Sequence, residues 1–198
     1  MAKLYFHYGA MNSGKTIELL RAAHNYEEIG MKPFLVKPGT DTKGENKVTS
    51  RVGIDRMVDL VATPDMDLWQ AIPEHVGGEP IGCIFADEAQ FFSPDQIDQL
   101  FALTLDPGIP VMSYGLRGDF RTRVFPGSTR LLEIAHVIKE IRTVCRCGSN
   151  AIFNGRKING EFVLEGDQVA IDGSSMDIAY ESLCGACYAQ HVGPVKND

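Results

Sequence analysis

The chain has 198 residues, 44% hydrophobic and 23% charged, which is the make-up of a globular protein with room for one substantial domain and a small appendage. Its formal net charge of -7 disfavours broad, non-specific contact with a nucleic-acid backbone, so a small anionic ligand needs a local positive site of its own. No apolar run approaches a membrane span, and the five cysteines, with no export signal before them, point to a reducing cytoplasmic setting where paired cysteines more often bind metal than form disulfides.

Lys3 to Tyr8 reads as a buried strand; it carries only Lys3 before Leu4-Tyr5-Phe6 and leads straight into Gly9, unlike a signal peptide. Gly9 to Gly14 is a loop. From Lys15 to about Ile29, Leu19, Ala22, Ala23, Tyr26 and Ile29 recur at three- and four-residue spacing, which predicts a helix closed by Gly30. Pro33 to Val36 is a short strand, and the polar stretch Gly39 to Ser50 a mobile loop. Arg56 to Ala62 is expected as a strand and Met66 to Ala71 as a helix. Ile81 to Ala86 is a short apolar run ending in Asp87-Glu88, the pattern of a buried parallel strand with chemistry at its C-terminal end. Pro94 to Leu103 is a helix with Ser93 as N-cap and Pro94 at its first position. A strand over Pro110 to Leu116, a helix over Ser128 to Ala135 and a last strand over Val137 to Val144 complete the alternation. Strand and helix alternating over residues 1–140 imply an α/β unit with a mainly parallel sheet flanked by helices. From Cys145 onward, four cysteines, several glycines and short β-like runs such as Glu161 to Leu164 mark a small second module.

Gly9, Gly14, Lys15 and Thr16 form G-x-x-x-x-G-K-T, with Ala10, Met11, Asn12 and Ser13 filling the loop. Glycines let the backbone turn so that N–H groups meet phosphate oxygens, and the following helix adds its positive end. Lys15 would reach the β- and γ-phosphates and Thr16 would bind Mg²⁺. A glycine-rich turn without function is the plainer alternative; a dinucleotide site is disfavoured further because no G-x-G-x-x-G follows a strand. Asp87 suits the carboxylate that orients Mg²⁺ or its waters, and Glu88 a general base, with Ala89 and Gln90 completing the segment; the alternative is a solvated acidic turn. Cys145-x-Cys147 and Cys184-x-x-Cys187 supply four thiolates for a closed, structural Zn²⁺ site that staples a segment too small for its own core. Two disulfides or unligated thiols are the alternatives, and His191 is a substitute ligand. Cys83, inside an apolar run, reads as a small buried hydrophobe. The residues alone reach a P-loop phosphoryl-transfer protein with structural zinc. A nucleic-acid-dependent ATPase stays open, since Asp87-Glu88-Ala89-Gln90 looks like a helicase acidic box, as does a zinc-ribbon binding module with a nucleotide switch.

The loop GAMNSGKT, the segment FADEAQFF, the stretch GLRGDF followed by Phe125, and the cysteine quartet, in this order, resemble the zinc-containing thymidine kinases of bacteria and animals. The resemblance implies a P-loop NTPase-like ATP-binding unit over residues 1–140 and a zinc-binding lid over 141–198. It implies transfer of the γ-phosphoryl of ATP to the 5′-hydroxyl of thymidine, and of deoxyuridine, with no nucleic-acid or membrane partner. By motif position Glu88 would be the base, Lys15, Thr16 and Asp87 would handle phosphates and Mg²⁺, and Arg51 would lie near the transferred phosphate. Met11, Phe91, Leu116, Phe120, Phe125, Val169, Ile171 and Tyr180 fall where the family lines its nucleoside pocket; without the family the apolar members read as core. The family's lid loop covers the thymine, here near Gly166 to Ser175, and Ile171-Asp172-Gly173 departs from the Ile-Gly-Gly frequent in relatives. A homotetramer and feedback inhibition by thymidine triphosphate are implied on the same ground.

Overall fold

The computed structural model describes residues 1–40, 46–50, 53–168 and 177–193. Arg51, Val169 and Ile171, with most of the expected lid loop, lie outside the described residues.

The chain opens with β1 (Leu4–Tyr8) and α1 (Lys15–Glu28), whose face of Leu19, Leu20 and Ala23 is buried. β2 (Pro33–Pro38) is buried along its whole length, as a strand covered on both faces must be. The polar stretch after it is not all loop, because β3 (Lys47–Thr49) pairs antiparallel with β4 (Asp55–Met57). The expected single strand Arg56 to Ala62 is therefore two: β4 lies in this hairpin and β5 (Leu60–Ala62) runs parallel to β2. Asp59 is the pivot. Its N–H bonds the Leu35 carbonyl at 2.9 Å and its carboxylate accepts from the Leu35 N–H at 2.7 Å, which turns the chain onto the sheet edge.

The next helix, α2 (Leu68–Val76), starts and ends later than Met66 to Ala71. Asp67 caps it by accepting from the Trp69 and Gln70 N–H groups, Leu68 and Ile72 face the core, and left-handed Gly77 closes it. β6 (Cys83–Ala86) is fully buried and leads through Glu88 into a 3₁₀ turn, Ala89–Phe91. α3 (Pro94–Leu105) carries the reciprocal cap in which Ser93 and Gln96 each bond the other's backbone N–H. β7 (Val111–Gly115) and α4 (Pro126–Ile134) follow, α4 beginning at a proline ahead of the expected Ser128. β8 (Val137–Glu140) stops short of Val144: the Ile141 N–H makes a last bond to Tyr8, and the chain then turns away toward the cysteines.

β1, β2, β5, β6, β7 and β8 form one parallel sheet in the order β5-β2-β6-β7-β1-β8. Side chains alternate across it. Phe34, Val36, Ile84 and Ala86 join Leu4, Phe6, Leu100 and Leu131 on one face, while Leu35, Cys83 and Phe85 meet Leu19 and Ala23 of α1 on the other. Both faces are thus covered, as sequential β-α units require. Cys83 is buried as expected, and burial pushes its thiol up to about 12.

Beyond β8, the strands β9 (Phe153–Ile158), β10 (Glu161–Val163) and β11 (Ile178–Leu183) form a separate antiparallel sheet in the order β10-β9-β11, followed by α5 (Gly185–His191). Its small core is Cys145, Ala151, Leu183, Cys184, Cys187 and Tyr188, with Phe153 and Phe162 packed against it. Among the described residues no helix is long and apolar enough to cross a membrane.

Candidate active site

Parallel strands bring their C-terminal ends to one edge of the sheet, and there β1, β6 and β7 present the loop at Gly9, the pair Asp87-Glu88 and the turn at Gly115-Leu116. Gly9 cannot carry a side chain. A Cβ would lie 2.5 Å from the Ile141 carbonyl oxygen and 2.5 Å from Ser13 Oγ. Asn12 at φ 64° and Gly14 at φ 82° take left-handed conformations that swing the loop into α1. Gly14 caps α1 without a side-chain hydrogen bond. The Lys15 ammonium is buried and lies on its own loop, 2.9 Å from the Ala10 carbonyl oxygen and 3.4 Å from that of Gly9. Thr16 is half-buried at the first turn of α1.

A thread of hydrogen bonds joins this loop to the acidic pair. The Gly9 N–H bonds the Gly115 carbonyl at 3.3 Å, the Leu116 N–H bonds Gln90 Oε1 at 2.9 Å, and the Gln90 amide donates to the Glu88 carboxylate. Gln90 is 1% exposed and Ala89 is fully buried, so these two hold the segment from inside. Gly115 is needed for this contact, because a Cβ there would meet Gln90 Oε1 at 2.7 Å. Asp87 is buried, and its N–H extends the ladder to Val36 at 3.0 Å. Glu88 is half-buried in a left-handed conformation, φ 46°, that a non-glycine residue holds only where its surroundings impose it.

The residues expected around a nucleoside divide. Phe91 and Phe125 meet edge to face with ring centroids 5.5 Å apart. Met11, Phe91 and Leu116 are half-buried, whereas Phe120 and Phe125 are buried. The Arg156 guanidinium lies 3.7 Å from the Phe120 ring centroid and donates to the Tyr180 hydroxyl at 3.0 Å. It also donates to the backbone carbonyls of Asp167 (2.8 Å) and Gln168 (3.1 Å), the last described residues before position 169. Arg156 was not anticipated from sequence, nor were Asn154, Ser182 and Tyr188. Asn154 and Ser182 hold the backbone of Met11, and the Tyr188 hydroxyl bonds the Phe120 carbonyl. Burial of a polar side chain is what marks all four, and periodicity alone does not reveal it.

The four cysteines converge. Their Sγ atoms all lie within 4.8 Å of one another, with Cys147 and Cys184 at 3.6 Å, and all four are free thiols. One tetrahedral ion with bonds of about 2.3 Å sets sulfurs about 3.8 Å apart, so the cluster fits Zn²⁺. Its electrostatics agree. Hydrogen bonds from Ser149 hold Cys147 down at about 6, while bonding to Cys145 and Cys147 pushes Cys187 up to about 12. Four sulfurs this close cannot all ionise without a cation to neutralise them. His191 stacks on Phe162 instead, with ring centroids 6.3 Å apart.

A family model described as thymidine kinase matches residues 2–188. The thymidine kinase of Ruegeria pomeroyi is 42% identical over 195 residues, covering 98% of this chain and 96% of that protein. The thymidine kinase of Enterobacteria phage T4 is 42% identical over 186 residues, covering 93% of this chain and 94% of that protein. That of Jannaschia sp. is 41% identical over 197 residues, covering 98% and 99%. A parallel sheet with a glycine-rich loop at its C-terminal edge, a four-cysteine cluster fit for zinc and similarity along the whole length lead to one assignment: the chain belongs to the thymidine kinase family, phosphotransferases that use ATP.

Proposed function

We infer that this chain transfers the γ-phosphoryl of ATP to the 5′-hydroxyl of thymidine, and of deoxyuridine, giving the 5′-monophosphate and ADP. The observation that carries the reading is the thread from Gly9 through Gly115, Leu116 and Gln90 to Glu88, which fixes a phosphate loop and a carboxylate in one frame. Phosphoryl transfer depends on positioning and charge stabilisation far more than on covalent chemistry. The loop amides and Lys15 would take the donor phosphates, Lys15 giving up its contacts with the loop carbonyls for phosphate oxygens. Glu88 would accept the proton of the attacking hydroxyl. Magnesium carried with ATP would supply positive charge to the reaction, and Thr16 and buried Asp87 are the residues that would hold it or its waters.

Met11, Phe91, Leu116, Phe120, Phe125 and Tyr180 would surround the nucleoside, with Val169 and Ile171 on the loop above it and Arg51 beside the transferred phosphate. Residues 141–198 would act as the lid, stapled by zinc at Cys145, Cys147, Cys184 and Cys187, and Arg156 is the anchor at the loop's start. Closing it excludes water, which otherwise competes as acceptor. Family likeness also supports a cytoplasmic homotetramer inhibited by thymidine triphosphate.

The test is ATP consumption across a panel of nucleosides, with the phosphorylated product identified. Thymidine should drive turnover and yield its 5′-monophosphate. Turnover stimulated by nucleic acid and indifferent to thymidine would overturn the reading.

A further inference from the structure

Met11 stands third in the Gly9–Thr16 loop, and both of its backbone groups are held by the small antiparallel sheet. Its N–H donates to Asn154 Oδ1 on β9 at 2.7 Å, and its carbonyl accepts from the Ser182 hydroxyl on β11. Asn154 and Ser182 are buried, 4% and 8% exposed. Asn154 also donates to the Gly118 carbonyl at 2.9 Å, so one side chain braces the donor loop and the segment after β7.

These bonds reach the catalytic loop through planar peptides. The Met11 N–H and the Ala10 carbonyl belong to a single peptide plane. Asn154 holds one end of that plane, and the Lys15 ammonium and the Ser13 N–H bond the other, at 2.9 and 3.3 Å. The Met11 carbonyl belongs to the next plane, which Ser182 fixes, and that plane feeds Asn12 at φ 64°. Two consecutive planes are thus set from outside the loop, at the point where the backbone must enter a costly conformation and aim its amides at phosphate. Ser182 is separated from Cys184 only by Leu183, a member of the cysteine core.

We propose that Asn154 and Ser182 are positioning residues of the donor site: through Met11, the cysteine-stapled sheet sets the shape of the ATP phosphate cradle. The proposal rests on the phosphoryl-transfer reading of the loop, but not on thymidine as the acceptor. It makes the second module a partner of both substrates, not of the nucleoside alone.

The experiment compares the parent with Ser182→Ala, Ser182→Thr and Asn154→Ala. Zinc content is assayed first. Mg-ATP affinity is then measured by titration calorimetry without nucleoside, followed by KM for ATP and for thymidine. Ser182→Ala and Asn154→Ala should bind Mg-ATP about three- to tenfold more weakly, the loss expected of a neutral hydrogen bond, with zinc retained. Ser182→Thr keeps the hydroxyl and should restore the parental affinity. Should one alanine variant lose zinc, the other decides. ATP affinity within about twofold of the parent in a zinc-loaded alanine variant, or a loss confined to thymidine, overturns the proposal. Because ATP binding is read without an acceptor, a parent that binds Mg-ATP yet ignores thymidine defeats the acceptor assignment while the clamp is still tested. A parent that binds no Mg-ATP defeats both.

Discussion

On the proposed function Glu88 is the base, and several contacts fix its place. Its backbone is left-handed, its carboxylate is held by Gln90, and Gln90 is locked in turn by Leu116 and by the close approach of Gly115. A carboxylate fixed in this way loses little freedom when an acceptor hydroxyl arrives. Glu88→Gln keeps the shape and removes the base. It should lower kcat at least about 10²-fold while leaving ATP and thymidine affinities within a few-fold, checked by steady-state kinetics beside direct binding. Near-parental turnover would remove Glu88 from the role. The motifs made Glu88 and the Gly9–Thr16 loop stand out as candidates in the sequence, because G-x-x-x-x-G-K-T and an acidic pair after an apolar run have a recognisable spacing, and the fold brings the two to one edge of the sheet. Gln90 was legible only as a member of the segment. That its amide points inward and holds its neighbour depends on a backbone turn that no spacing encodes.

At the scale of elements, β11 and β9 are tied by a charged cluster on the outside of the small sheet. Glu181 on β11 accepts from Arg146, which sits between two cysteines, and from Lys157 on β9 at 2.8 Å. The Arg146 guanidinium draws the Glu181 carboxyl from its ordinary 4.5 down to about 2; partial burial opposes this and Lys157 adds to it. A carboxyl whose folded value lies below its unfolded one contributes stability that is full above about pH 5 and fades as pH falls toward 2. Glu181→Gln should therefore lower Tm by about 1–4 °C at pH 7, with the gap to the parent closing as pH drops. Scanning calorimetry of both proteins at several pH values checks it; a gap that widens in acid contradicts it. The same sheet was the least legible part of the fold. Asn154 and Gly155 lie inside β9, which the sequence did not mark out, and a Cβ on Gly155 would meet Phe162 at 2.6 Å and Leu183 at 3.0 Å. The apolar parallel strands were easy to place because burial on both faces leaves a continuous hydrophobic run. Asp59, which splits the expected strand Arg56 to Ala62, acts through a contact with Leu35 that only the folded chain brings about.

For the whole molecule, the two larger sheets draw on different sources of stability. The parallel sheet is packed on both faces, whereas the small sheet has few apolar residues and converging thiols. Stripping zinc with a chelator should expose the amides of β9 and β11 to hydrogen exchange, by about 10²-fold or more, while β1, β6 and β7 stay protected. Exchange spreading equally through both sheets would show that the cysteines hold the entire fold. The bond between Ser182 and Met11 has one more consequence, in time. The loop at Met11 is synthesised 171 positions ahead of Ser182 and must wait for the strand that carries it. Until then the nascent chain carries a nucleotide motif without the frame that shapes it, and a product cut short before β11 keeps the motif but not the frame.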